Sequence, residues 1–310
     1  MALYLVTGIA GFIGSALGGA LLAQGHEVDG VDDLSTGFME NVPAGAAFFR
    51  GDCGESETYA RLLPKRPYDA IFHIAGQSSG EVSFDDPLRD LRTNTGSTLH
   101  LLRFALETGC RRLVYASSMS VYGEQPDAAV REDAPCRPMS FYGVGKLASE
   151  HYLRIYGRYG IASTSLRLFN VYGPGQNMGN MRQGMVSIYM SMLADGVVRV
   201  KGRPDRFRDF VYIDDVVRAF LACLDHPESE GRELNIGGSG KVLVGDLLDR
   251  LLALSKTPAR VEFAGETPGD ILGIHADLTL ARRCLGYVPR TDLDAGLAAM
   301  YAWHTGRSGG

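Results

Sequence analysis

The chain has 310 residues, 31 Lys and Arg against 36 Asp and Glu for a net charge of −5, and 39 glycines. A soluble chain of this length buries roughly 75% of the surface its unfolded form exposes, so one large or two smaller domains are expected without disulfide or metal support. No basic excess is available to neutralise phosphates, which argues against a nucleic-acid or anionic-membrane partner.

The first 25 residues carry no charged side chain, and the first Lys or Arg is Arg50. A secretory signal needs a basic start, so this stretch reads instead as a buried strand, a glycine turn and a buried helix, and the chain as cytoplasmic. Apolar runs at Leu3–Thr7, Glu27–Val31, Ala47–Arg50, Ala70–Ile74, Arg112–Ala116 and Ala162–Leu168 predict strands. Helical patterns fall between them, for example at Ser15–Gln24, Pro87–Thr108 and Gly145–Tyr159. Parallel strands need crossover helices, so the alternation predicts an α/β fold, a Rossmann-type doubly wound parallel sheet. After about Asn170 the rhythm changes to glycine-rich loops, a methionine-rich helix at Met185–Leu193 and a helix at Val244–Leu254. Residues 1–170 are expected to form a dinucleotide-binding domain, with 206–226 returning to it and Arg208–Leu224 rejoining the main sheet. Residues 171–205 and 227–310 are expected to form a smaller α/β substrate domain.

Cys53, Cys110, Cys136, Cys223 and Cys284 are scattered and form no C-x-x-C, so they read as buried thiols of a reducing compartment. No histidine pairs with another ligand at metal spacing, and no metal is expected. His73 reads as a core imidazole, and Met178, Met181, Met185, Met190 and Met192 as core residues at helical spacing.

Two constellations carry chemistry. Strand Leu3–Thr7 runs into Gly8-Ile9-Ala10-Gly11-Phe12-Ile13-Gly14 and then a helix. Glycines there let the backbone approach a pyrophosphate, and the helix start supplies N–H groups and the positive dipole end. A second strand ends at Asp32, whose carboxylate accepts ribose hydroxyls and, with Asp33, repels a 2′-phosphate; the cofactor is therefore expected to be NAD. Asp52, ending the third strand, is a candidate for the adenine amino group. Further on, Tyr142 and Lys146 stand one helical turn apart on one face, downstream of the serines of Ala116-Ser117-Ser118-Met119-Ser120-Val121-Tyr122-Gly123 at a strand end. A neighbouring ammonium and an oxidised nicotinamide would both lower the phenol's pKa from about 10.

With TGIAGFIG, VDDLSTG, HIAG, SSMSVYG, YGVGK, RLFNVYGPGQN, RDFVYIDDV and GDI in order, nearly the whole chain resembles the extended short-chain dehydrogenase/reductases. Within them it resembles the group of NAD-dependent nucleotide-sugar epimerases related to UDP-glucose/UDP-galactose 4-epimerases. The resemblance implies Tyr142 as catalytic base, Lys146 on the nicotinamide ribose and Ser118 on the sugar O4. The cofactor set it implies adds Cys53, Ala75, Gly76, Gln77 and Asn94 to Gly8, Gly11, Phe12, Ile13, Gly14, Asp32, Asp33 and Asp52. For the nucleotide-sugar the expected contacts are Ser118, Ser120, Asn170, Gln183, Arg208 and Asp270. It also implies a homodimer built on the helices near 87–108 and 145–159.

Departures narrow the activity. Relatives that dehydrate or decarboxylate sugars carry an acid just before the VYG segment, where this chain has Met119 and Ser120. Neither can do acid–base work at neutral pH. The expected activity is therefore inversion of C4 of a nucleotide-sugar, a UDP-hexose or substituted UDP-hexose, through a transient 4-keto sugar. A nucleotide-sugar reductase or dehydrogenase is the alternative, and a 4,6-dehydratase a more distant one. Thr267 stands where these epimerases usually carry a diphosphate arginine, leaving Arg208 as the principal clamp with Arg182, Arg203 or Arg206 in support. Ile274 stands where a tyrosine restricts some epimerases to unmodified hexoses, which leaves room for a C2 or C6 substituent.

Overall fold

The computed structural model describes residues 1–265 and 271–308. The strands are β1 (Leu3–Thr7), β2 (Glu27–Asp32), β3 (Ala47–Arg50), β4 (Ala70–His73), β5 (Arg112–Ser118), β6 (Ala162–Leu168), β7 (Asn170–Tyr172), β8 (Val197–Val200), β9 (Phe207–Arg208), β10 (Phe210–Tyr212), β11 (Arg232–Ile236), β12 (Val242–Leu243) and β13 (Arg260–Phe263). The helices are α1 (Phe12–Ala23), α2 (Pro87–Leu91), α3 (Ser97–Thr108), α4 (Phe141–Tyr156), α5 (Met185–Met192), α6 (Ile213–Asp225), α7 (Val244–Leu254), α8 (Thr279–Leu285) and α9 (Leu293–Ser308).

Seven strands form one parallel sheet in the order β3-β2-β1-β4-β5-β6-β11. Central strands covered by helices on both faces must be apolar throughout, and β1 and β4 are buried along nearly their whole length. The order reverses between β1 and β4, so a crevice opens at their C-terminal ends, the usual ligand position in open α/β sheets. Thr7 and His73 close the floor of that crevice. Thr7 Oγ1 lies 2.9 Å from His73 Nδ1 and accepts from the backbone N–H of Ile74 and Ala75, both at 3.0 Å. His73 is fully buried, and burial, with the Lys146 charge adding, lowers its imidazole to about 3; it is the expected core histidine.

Two expectations are corrected. Arg208–Leu224 does not rejoin the main sheet: Phe210–Tyr212 pairs with Asn170–Tyr172 in a separate two-stranded sheet. The place beside β6 is taken by β11, laddered along five residues from Thr164 to Leu168. Only the helical half of the segment serves the main layer, because α6 buries Ile213, Val216, Val217 and Phe220 and packs on α1. The expected single helix Pro87–Thr108 is α2 and α3 joined by a wider π-helical turn at Arg92–Gly96, which carries Asn94. Four cysteines are buried thiols as expected, but Cys136 is only half-buried.

Candidate active site

The turn after β1 is built for close approach. A Cβ on Gly14 would overlap the Gly8 carbonyl, and Gly8 itself has φ +74°, where a Cβ would stand 2.8 Å from the Ala75 backbone N. Helix α1 has Gly11 at its N-cap, no side-chain cap and no acidic residue in its first turn, so its leading N–H groups are left for an anion. Around it opens a cavity of about 360 Å³, lined by Gly8, Gly11, Phe12, Ile13, Gly14, Asp32, Asp33, Asp52, Cys53, Ala75, Gly76 and Gln77. Every expected cofactor residue outside the helices is thus brought to one hollow.

Asp32 is held rigidly there. Its Oδ2 accepts from the Ala10 N–H at 3.0 Å and its Oδ1 from the Leu34 N–H at 2.8 Å. Burial raises its carboxyl, and those two N–H bonds oppose the rise. Leu34 pays for its bond with a left-handed φ of 62°, the one positive φ at a non-glycine residue among those described. Asp52 Oδ1 accepts from the Gly54 N–H at 2.7 Å, and its Oδ2 lies 3.6 Å from Arg92.

Ser118, Tyr142, Lys146 and Asn94 sit behind this hollow, buried. Ser140 caps α4 by accepting from the Gly143 N–H at 3.1 Å, which sets Tyr142 in the first turn. Lys146 Nζ donates to the Ala116 carbonyl at 2.9 Å and lies 5.6 Å from the Tyr142 ring centre and 4.8 Å from that of Tyr115. Ser118 accepts from the Ser120 N–H at 3.2 Å, and its hydroxyl donates to that of Ser120 at the same distance. Gly76, with φ +151°, is the contact between cavity and cluster: a Cβ there would stand 2.5 Å from Asn94 Oδ1 and 3.6 Å from Lys146 Nζ. Asn94 therefore backs the cavity wall through Gly76.

The electrostatics correct the expected phenol. Burial pushes Tyr142 up to about 12, with the Ser118 hydrogen bond opposing and the Asp90 charge adding to the rise. Burial likewise lowers Lys146 to about 8, against the charges of Asp90 and Glu150. The protein's own groups therefore do not lower the phenol's pKa; a cationic nicotinamide is the group left to do so.

Asp90 escaped sequence reasoning. It is 1% exposed, and its Oδ1 accepts from Gln77 Nε2 at 2.8 Å and Asn94 Nδ2 at 3.2 Å. Burial raises its carboxyl, opposed by the Gln77 bond and the Lys146 charge. The positions before the VYG segment remain Met119 and Ser120, and the buried acid beside the cluster comes from α2 instead of the serine strand. A second missed group lies below the serines: Ser117 donates to Glu150 at 2.5 Å, and Arg167 closes a buried ion pair with Glu150 at 2.7 Å. It ties β5, α4 and β6 together under the reacting end.

A second cavity of about 330 Å³ adjoins the first and shares Ser78, Ser79 and Gln183 with it. Ser120, Asn170, Gln183 and Arg208 line it with Arg182, Arg199, Lys201 and Arg206, whereas Ser118, also expected on the nucleotide-sugar, does not. Arg208 is 5% exposed and donates to the carbonyls of Phe207, Leu272 and Ile271. Asp209 is occupied elsewhere, accepting N–H bonds from Gly238, Gly240 and Ala276, and burial raises it to about 6. Arg203 instead pairs with Asp205 on the surface and lines neither cavity. Met181, Met185 and Met192 line the cavity, and Met178 is only partly buried, so of the five expected core methionines only Met190 is fully buried. Ile274 lies outside the cavity lining, buried among Val121, Tyr122, Val130 and Phe169. The expected extra room at that position is therefore not at the cavity wall. Asp270 and Thr267 lie outside the described residues.

A profile of the NAD dependent epimerase/dehydratase family matches residues 4–237. The chain is 36% identical over 302 residues to a UDP-glucose 4-epimerase of Mycolicibacterium smegmatis, covering 95% of this chain and 96% of the relative. Its fold matches a UDP-glucose 4-epimerase of Thermotoga maritima solved with UDP-glucose, at TM-score 0.95, 32% identity and 99% coverage of both chains. It also matches a UDP-glucuronic acid 4-epimerase of Bacillus cereus solved with UDP-glucuronic acid and NAD, at TM-score 0.87, 29% identity, and 98% and 99% coverage.

Proposed function

The chain belongs to the NAD-dependent epimerase/dehydratase family, and on that footing we propose that it inverts C4 of a nucleotide-sugar, a UDP-hexose or substituted UDP-hexose. The observation that carries the reading is the buried Ser118, Tyr142 and Lys146 cluster, which reaches Gly76 of one cavity and Ser120 of the other. The first cavity fits NAD: an uncapped helix start, a carboxylate at Asp32, and a buried Asn94 Oδ1 without a hydrogen-bond partner. The chemistry NAD would supply there is reversible hydride acceptance from C4 and return to the opposite face of a 4-keto sugar, with no net redox change.

The rest is done by side chains. Tyr142 takes the proton of the 4-hydroxyl, directly or through Ser118, and gives it back as the sugar is re-formed. Lys146 holds the nicotinamide ribose, and the bound cation of the nicotinamide, rather than Lys146, is what favours the phenolate. Arg208 clamps the diphosphate. Arg182 and Lys201 supply the charge that Thr267 lacks; both now face Glu81, at 3.5 and 3.0 Å, at the edge of the second cavity. Residues 1–170 line most of the cofactor cavity, whereas the nucleotide-sugar cavity is shared by 1–170 and 171–205, with Arg206 and Arg208 of the 206–226 segment adding to it. Incubation with UDP-glucose, UDP-glucuronate and UDP-N-acetylglucosamine, without added cofactor, is expected to invert C4 of at least one as followed by NMR. Unchanged C4 configuration in all three would overturn the reading.

We also propose a homodimer. On α4, Phe141, Val144 and Ile155 share one helical face and are 45, 52 and 50% exposed, beside Leu88 and Leu91 of α2 at 78 and 54%. A second copy of the same face would bury this stripe. Sedimentation of the wild type is expected to give a dimer, and the pair Leu88→Glu with Val144→Glu a folded monomer. A monomeric wild type at micromolar concentration would contradict it.

Among the described residues, no helix is long and apolar enough to cross a membrane.

A further inference from the structure

Asn94 presents an unusual arrangement at the wall of the cofactor cavity. Its Nδ2 donates to the Gln77 carbonyl at 3.0 Å and to Asp90 Oδ1 at 3.2 Å, while its Oδ1 is buried without a partner and faces Gly76. The two ends of an amide have nearly the same shape and differ only in donating or accepting, so an amide side chain is easily turned over. Here both positions facing Nδ2 are oxygens that can only accept. Turning Asn94 over would set its carbonyl against a main-chain carbonyl and a carboxylate together.

The same Asp90 oxygen also accepts from Gln77 Nε2 at 2.8 Å, and Gln77 lines the cavity. One carboxylate oxygen thus fixes two amides that border the cofactor from different segments. The other Asp90 oxygen faces α4, where a Cβ on Gly145 would stand 3.4 Å from it. We propose that Asp90 is a positioning residue for the cofactor: by accepting from Asn94 and Gln77 it aims the Asn94 carbonyl at the nicotinamide end of the cavity. There the carbonyl receives a donor of the bound cofactor, a hydroxyl or an amide N–H. The inference rests on the NAD reading above but does not depend on which sugar is turned over.

Two properties test it: NAD affinity of the cofactor-stripped protein by calorimetry, and the split of kcat and KM. Asp90→Leu, similar in size and without an acceptor, is expected to weaken NAD at least tenfold and lower kcat at least tenfold, with KM for the nucleotide-sugar within threefold. Asp90→Asn keeps an oxygen for both amides and is expected to recover most of that loss. Asn94→Leu removes the aimed carbonyl and should weaken NAD as much as Asp90→Leu does, and the double variant should be no weaker than either. Additive losses in the double variant, or NAD affinity unchanged in Asn94→Leu, would overturn the proposal. So would Asp90→Asn as impaired as Asp90→Leu, since the charge rather than the acceptor would then matter. If Asp90→Leu does not fold, Asp90→Asn and Asn94→Leu still decide. A wild type that binds NAD but turns over no UDP-sugar would count against the epimerase reading and leave these binding outcomes intact.

Discussion

Tyr142→Phe is expected to lower kcat by about 10²-fold or more while leaving KM for the nucleotide-sugar within about threefold. The substitution removes one oxygen and keeps a ring that is 8% exposed at the start of α4, so the fold and both cavities should persist. What is lost is the group that takes the 4-hydroxyl proton. Because burial holds this phenol up near 12 in the protein alone, its ionisation should depend on loading. The phenolate absorbance assigned by difference from Tyr142→Phe should appear at lower pH in NAD-loaded than in NAD-free protein. Turnover within tenfold of wild type in the variant would remove Tyr142 from the reaction.

Lys146→Met is expected to do two opposite things: to lower kcat by about 10²-fold or more, and to stabilise the NAD-free protein. The amine is 4% exposed, and burial brings it down to about 8 from the ordinary lysine value near 10.4. Between those two pH values the unfolded chain binds more protons than the folded one, so stability rises with pH across that window. Below pH 8 both states are protonated, and the folded state carries the full desolvation cost of the ammonium. A shift of this size corresponds to about 3 kcal/mol. That shift already contains the opposing charges of Asp90 and Glu150, so only loss of the bond to Ala116 gives part of it back, leaving a gain of about 2 kcal/mol. The Tm of the NAD-free variant at pH 7 should therefore rise by about 3 °C. A fall in Tm would mean that Lys146 holds the fold together as well as the cofactor.

The parts of the site that were legible in the sequence are those whose signal is local. The glycine turn after Leu3–Thr7, the acid ending the next strand, and Tyr142 with Lys146 one turn on each lie within a single strand–helix step. Their spacing carries their geometry. Asp90 was not legible, because what marks it is convergence: it meets Gln77 from the loop after β4, Asn94 in the π turn, and the start of α4 near Gly145. Nothing in the run Pro87–Thr108 signals that turn, since one extra residue in a helical repeat leaves the apolar pattern readable as a plain helix. The error over Arg208–Leu224 has a similar origin. Phe210–Tyr212 is apolar enough to read as a strand, whereas Arg232–Ile236, RELNI, has only two apolar residues, and that the latter ladders with β6 is decided by pairing length and by the fold around it. Ile274 was misjudged because a neighbouring apolar cluster takes up its side chain.

The most direct test follows a label. A UDP-hexose that proves to be turned over is prepared with deuterium at C4, and its product is examined by NMR and mass spectrometry in ordinary water. Removal and return of hydrogen at one carbon within a closed site predicts a C4-inverted sugar that keeps its deuterium at C4. Deuterium lost to the solvent, or found at C6, would contradict the account.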